Sequence, residues 1–297
     1  MDGDELMTQK KMNRSSYAVA GVIEALLLVA LFSVVLSMIQ LIYIPEIMEQ
    51  REGEHMDEVE NQFSQLKSII DMQSIVKEDL PISSAITLGS RELPYFVTVK
   101  AFGALSVVDD SENYIQINDS SEIINLNTIQ FQSYNAYYFN QFYVLEGGGV
   151  LLRQDDEGEA MKIHPPITFE RQTNGGNTTV FLNWTIHNFT TNIGGKDTAE
   201  GYKSCFIRTL YTDTETKIYH NISSLNIFTN YVGAWNQSII WLLNQHNVDS
   251  YVNVSKHDTN ITIEPNNAQQ VNIIVRMEII YINVQIGKGT VVEYLQD

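Results

Sequence analysis

The side chains best suited to chemistry are few, and their spacing does not favour catalysis. Six histidines, His55, His164, His187, His220, His246 and His257, are scattered along the chain. None forms the H-E-x-x-H pair that would place two imidazoles on one helical face around a metal. Cys205 is the single cysteine, which excludes an internal disulfide framework and a thiolate metal cluster. It lies in a strand-like run with no nearby base, so it reads as a small buried hydrophobe rather than a nucleophile. There is no G-x-S-x-G, and Gly147-Gly148-Gly149 lacks the G-K-[ST] ending of a phosphate loop. Set between two strand-like runs, those glycines read as a hairpin turn. Asp109-Asp110-Ser111-Glu112 and Asp155-Asp156-Glu157-Gly158-Glu159 offer oxygen ligands, but without the spacing of a calcium loop, and read as solvated acidic turns. The expectation is a protein that is not an enzyme and uses no cofactor and no metal.

Three other features could act by binding or assembly. Glu24 is the one acidic or basic residue in the apolar run Tyr17–Ile44, and an intramembrane carboxylate is a functional-site hypothesis by default. The aromatic cluster Tyr134, Tyr137, Tyr138, Phe139, Phe142 and Tyr143, interleaved with Asn and Gln, could stack on sugars or form a protein-binding hot spot. Tyr134, Tyr137, Tyr138 and Phe142 are the candidate binding face. Neighbours such as Tyr137 and Tyr138 point to opposite sides of a strand, so about half of the cluster could face a ligand. N-x-S/T acceptors begin at Asn118, Asn177, Asn183, Asn188, Asn221, Asn236, Asn253 and Asn260, all downstream of the apolar run. Together they suggest an exported glycoprotein.

The elements that must position these residues follow from composition and period. Eighteen Lys+Arg against 36 Asp+Glu give a charge of −18, which argues against a nucleic-acid partner. With 44% apolar and 18% charged residues, bulk disorder is not expected. The 28 residues of Tyr17–Ile44 would make a helix of about 42 Å, against roughly 30 Å of hydrocarbon. Lys10, Lys11 and Arg14 precede the run, and Glu46, Glu49, Glu52 and Glu54 follow it. The positive-inside rule therefore places the N-terminus in the cytoplasm and the rest outside a cell membrane crossed once. Residues 1–16 form the cytoplasmic tail or leader, 17–44 the transmembrane helix, 45–79 an acidic amphipathic stalk helix and 80–297 the extracellular domain.

In the stalk, Met56, Val59, Phe63, Leu66 and Ile70 form one helical stripe. That stripe suits packing on the protein's own domain better than a coiled coil. The ten acids against three bases of residues 45–79, a net of −7, are repelled by anionic lipid. Pro45 should kink or interrupt the helix, and Gly53 should weaken it. After Asp79-Leu80-Pro81, short β-branched and aromatic runs separated by turn residues predict an antiparallel, sandwich-like head. Its strands include Tyr95–Val108, Cys205–Thr212, Lys217–His220 and Gln270–Ile286, and a short helix covers Trp235–Gln245. The fold class is α+β.

Arg14, then Ala18-Val19-Ala20-Gly21-Val22-Ile23 and LLLVALFSVVLS, resembles the N-terminal region of archaeal type IV pilins and pilin-like exported proteins. The resemblance covers about the first 45 residues. It implies cleavage between Ala20 and Gly21 by a dedicated membrane peptidase. It also implies a role for Glu24 in pairing with a neighbouring subunit's new amino terminus, although Glu24 would be the fourth mature residue where the family has its glutamate fifth. Pro45-Glu46, the stretch from Glu54 to Val59, and Tyr143–Val150 are similar to the stalk and head of a group of archaeal envelope proteins without an assigned activity. The resulting expectation is a membrane-anchored, glycosylated, pilin-like cell-surface structural protein. Its partners would be the lipid bilayer, other copies through the N-terminal helix, and a cell-envelope protein or polysaccharide. The alternative is a single-pass surface adhesin or ligand-binding module that does not assemble into filaments.

Overall fold

Helical character runs through Pro45 without a break. The computed structural model of the chain describes residues 3–90, 101–109, 111–118, 122–155, 158–191, 196–266 and 270–287. In it α1 (Gly3–Met38) passes through a π-helical turn (Ile39–Tyr43) into α2 (Ile44–Val76). A proline inside a helix removes one donor and presses its ring on the carbonyl four residues back. Here the widened turn absorbs the mismatch, because the Ile44 N–H bonds to the Ile39 carbonyl, five residues back. Pro45 then falls in the first turn of α2, where a missing N–H costs nothing. The expected interruption at Pro45 is thus replaced by a π-turn, and Gly53 also stays helical. Ala20–Val76 is one continuous rod of 57 residues, long and apolar enough in its first part to span a membrane. It ends at Lys77, which adopts the left-handed conformation (φ 55°) and donates its N–H to the Gln73 carbonyl.

The rod changes character at Ile44. From Ala20 to Met38 every residue is exposed. Beyond that point Ile44 and Met48 are buried, and Met56, Val59, Phe63, Leu66 and Ile70 are buried in a core shared with the head. The amphipathic stripe therefore packs on the protein's own β domain.

Sixteen strands follow among the described residues: β1 (Ile82–Thr87), β2 (Phe102–Val108), β3 (Tyr114–Ile117), β4 (Ile123–Asn125), β5 (Thr128–Tyr134), β6 (Gln141–Glu146), β7 (Gly149–Gln154) and β8 (Gly158–Ile163), then β9 (Ile167–Asn174), β10 (Asn177–Thr190), β11 (Thr198–Gly201), β12 (Ser204–Tyr219), β13 (Leu225–Phe228), β14 (Val252–Lys256), β15 (Asn260–Pro265) and β16 (Val271–Gly287). A helix, α3 (Val232–Gln245), lies between β13 and β14. The strands form three sheets, ordered β1-β12-β16-β10-β9, β11-β2-β5-β6-β7-β8 and β14-β15-β13-β3-β4. All pairings are antiparallel except β10 with β16.

Two local expectations change. The turn-rich segment after Pro81 contains a paired strand, β1. The runs expected as Cys205–Thr212 and Lys217–His220 are one strand, β12, with a register shift between Tyr211 and Asp213. The part of Tyr95–Val108 before residue 101 lies outside the described residues.

Two hydrophobic cores share the first sheet. Ile273, Val275, Met277 and Ile279 of β16 enter one core with α3 and the third sheet. Ile280, Ile282, Val284 and Ile286 of the same strand enter the other, with the α2 stripe and the second sheet. Because side chains alternate across a strand, the odd and even residues serve opposite faces. The adjacent pair Ile279-Ile280 marks where burial crosses the sheet.

The Gly147-Gly148-Gly149 hairpin is confirmed. Gly147 (φ 56°) and Gly148 (φ 89°) connect β6 to β7, as a two-residue turn requires. A Cβ on Gly148 would lie 2.6 Å from Pro166 Cδ. Gly148→Ala should therefore cost more than about 1 kcal/mol, read by chemical denaturation. A variant as stable as the parent would refute the close-contact account.

Candidate functional site

The best-built polar feature joins the foot of α2 to the aromatic loop between β5 and β6. Glu52 is completely buried. Its Oε1 accepts the Ala136 N–H at 3.1 Å, and its Oε2 accepts those of Tyr137 and Tyr138 at 2.7 Å each. Three successive amides converging on a carboxylate make charge-assisted bonds, roughly twice as strong as neutral ones. The loop is also braced from within. Asn140 Oδ1 accepts the Asn135 N–H at 2.8 Å, Asn135 Nδ2 donates to the Phe139 carbonyl at 2.8 Å, and Ser133 Oγ accepts the Gln141 N–H at 2.8 Å.

This clamp sorts the aromatic residues. Tyr134 and Tyr137 are exposed, and Phe139 more so. Tyr138 is half-buried over Gly53, and Phe142 lies half-buried beneath the Arg153 guanidinium, 4.3 Å from its ring centre. Tyr143 is in the core beside Phe63, with its hydroxyl 3.2 Å from Glu60. Of the four expected binding residues, two face solvent. The structure adds Phe102, which stacks on Tyr134 with centroids 4.6 Å apart, and Phe139. Cross-strand pairing of Phe102 with Tyr134 brings these together, and residue spacing gives no sign of it.

Other candidate groups are engaged structurally. Glu146 is fully buried; it accepts from Thr229 Oγ1 and Trp235 Nε1 at 2.7 Å and from Asn113 Nδ2 at 3.2 Å. Glu159, expected in a solvated turn, instead accepts the Gly233 and Ala234 N–H groups at the start of α3, where a helix favours negative charge. Asp110, Asp156 and Glu157 lie outside the described residues.

Cys205 is buried, and desolvation pushes its thiol up to about 11, which makes it a poor nucleophile. His55 Nε2 is 2.9 Å from the Thr87 carbonyl, and burial lowers its pKa. His164 stacks on Trp241 at 4.0 Å and reaches Ser238 Oγ at 2.8 Å. His187 is buried beside the Lys67–Asp71 ion pair. Among the described residues no group of three His, Cys, Asp or Glu is arranged to hold a metal. An open groove at the β12 bulge, lined by Thr190, Thr212, Asp213, Thr214, Glu215 and Tyr281, is internally paired: the Tyr281 hydroxyl donates to Glu215 at 3.1 Å.

The glycosylation acceptors differ in access. Asn118, Asn177, Asn221 and Asn253 are exposed, and Asn183, Asn236 and Asn260 are half-buried. Asn188 is only 8% exposed within β10, so the folded head leaves no room for a glycan there. Ala20, Gly21 and Glu24 lie on the exposed apolar helix. Comparison with protein-family models, characterised proteins and solved structures yields no match to this chain.

Proposed function

We propose that this chain is a membrane-anchored, pilin-like cell-surface structural protein of archaeal type, which displays a glycosylated, sandwich-like β head outside the cell. One observation carries the reading: a single rod is wholly exposed and, Glu24 apart, predominantly apolar from Ala20 to Met38, yet is built into the head from Glu52 onward. Exposed apolar residues at that density are stable in lipid and not in water. Continuity of the helix into the head makes anchor and display one rigid piece. The cytoplasmic basic flank and the downstream acceptors support an outward-facing head. Assembly with other copies would run through the exposed helix, with Glu24 as the intramembrane pairing group.

The test is the intact mass of the deglycosylated protein from native membranes, with its N-terminal residue sequenced. A start at Gly21 is expected, and Glu24→Gln should then abolish assembly. A start at Met1 would overturn processing and assembly in favour of a non-assembling adhesin.

A further inference from the structure

The order in which α2 meets the head defines the end of the domain nearest the membrane. Rising from Ile44, the helix is hydrogen-bonded to the aromatic loop through Glu52. It then meets Thr87 at His55 and Gln62, Tyr143 at Glu60, Thr209 at Gln73, and Glu278 at Lys77. Glu52 lies eight residues beyond Ile44, so its Cα stands about 12 Å further along the axis. Helical side chains lean toward the N-terminus, which brings the carboxylate and its loop closer still to the membrane. Ile44 and Met48 are already buried, so the rod stops being wholly exposed at the last turn of the apolar run.

Sheet register places further aromatics at this same end. Gly201 pairs with Gly103, and Gly103 with Ser133. One residue outward from that line, Tyr202, Phe102 and Tyr134 stand in a row across three neighbouring strands. Tyr137 and Phe139 extend the row along the clamped loop. These five side chains are between 36% and 51% exposed, a costly concentration for a surface in water.

We propose that this aromatic foot is seated in the outer headgroup layer of the same bilayer that holds the helix. Tyr and Phe rings are favoured at that depth, where an apolar body meets a polar edge. The headgroup layer adds several ångströms to each side of the hydrocarbon, and an aromatic loop clamped about 12 Å beyond Ile44, leaning back toward it, is placed to enter that layer. Glu46 and Glu49, exposed on the neighbouring helix surface, disfavour anionic lipid, so the contact is to neutral headgroups. The Glu52 clamp then fixes the tilt of the head on the membrane. The aromatic face is thereby occupied by lipid rather than free for a polysaccharide.

The inference rests on the membrane-anchored reading, and its test separates the two. The full chain, reconstituted in phosphatidylcholine vesicles, is labelled with an environment-sensitive fluorophore at Phe139→Cys, Phe32→Cys or Ile218→Cys in turn. Cys205, buried with its thiol pushed up, stays unlabelled. Position 32 reports the span. Position 218 lies near the far end of β12, beyond Thr209, which contacts Gln73.

A headgroup-attached quencher should remove about half of the emission at 139 and leave 218 unchanged, as expected for an interfacial aromatic. An acyl-chain quencher should act on 32. Quenching at 32 with none at 139 overturns the foot while leaving the anchor. No lipid quenching at 32 overturns the anchor itself. A blue-shifted but unquenched label at 139 points to a protein or glycan on this face and also overturns the proposal.

Discussion

Glu52→Ala should destabilise the folded head by about 2–4 kcal/mol, the penalty for leaving several charge-assisted donors without their acceptor. Three backbone amides, of Ala136, Tyr137 and Tyr138, converge on this one completely buried side chain. No other described side chain accepts from them. Water can reach the exposed loop and recover part of the loss, so the lower half of that range is the firmer expectation. Glu52→Gln should lie between the parent and alanine, because its amide keeps one acceptor and turns a donor toward donors. Denaturant unfolding in detergent gives the stability. Limited proteolysis should show the 134–140 loop becoming the first cleavage site in the alanine variant. A loss below about 0.5 kcal/mol, the range of ordinary surface substitutions, would mean that the clamp does not hold the loop to the helix.

The second large effect is acid destabilisation through His187. Burial, aided by the nearby Lys67 ammonium, lowers its pKa from 6.5 to about 3. Asp71 Oδ1 is 3.7 Å from Nε2, but that carboxylate is already bound by Lys67, so His187 sits neutral beside a compensated pair. The unfolded chain takes up a proton below pH 6.5 and the folded chain does not. Stability therefore falls as pH drops from about 6.5 to about 3, with a limiting slope near 1.4 kcal/mol per pH unit from this residue. Other groups contribute in acid, so the diagnostic quantity is the difference from His187→Leu. That variant should lose about one proton's worth of slope across the window. Parallel curves for the two proteins would show that His187 is not held neutral in the fold.

Much of the architecture could be read from local patterns. The stripe Met56, Val59, Phe63, Leu66 and Ile70 predicts a helix with one buried face, and all five residues are buried. The alternation Val271, Ile273, Val275, Met277, Ile279, Tyr281 predicts a strand, and its four middle residues line a core against which Val271 and Tyr281 pack. Its continuation on the opposite face, from Ile280 to Ile286, is a phase change that a one-sided alternation misses. Strand β1 is missed for a related reason. With Ser83, Ser84 and Thr87 in six residues, it is carried by its ladder with β12 rather than by its own propensity. The polar stretch from Thr212 to Thr216 breaks the strand signal in β12, yet β16 pairs across it.

The sequence by itself determined the apolar rod, its acidic continuation, the β-rich character of the head and the glycine hairpin. Each of these is written in the spacing of neighbouring residues, as a 3.6- or 2-residue period or a turn that only glycine fits. The tertiary structure decided which polar groups matter. Glu52 meets donors 84 to 86 residues away, Glu146 meets Trp235, 89 residues on, and Phe102 finds Tyr134 across a strand pair. No local period encodes such meetings, because they depend on the path of the whole chain. That path divided a run of tyrosines and phenylalanines, sending Tyr143 into the core and leaving Tyr134, Tyr137 and Phe139 exposed beside Phe102 and Tyr202.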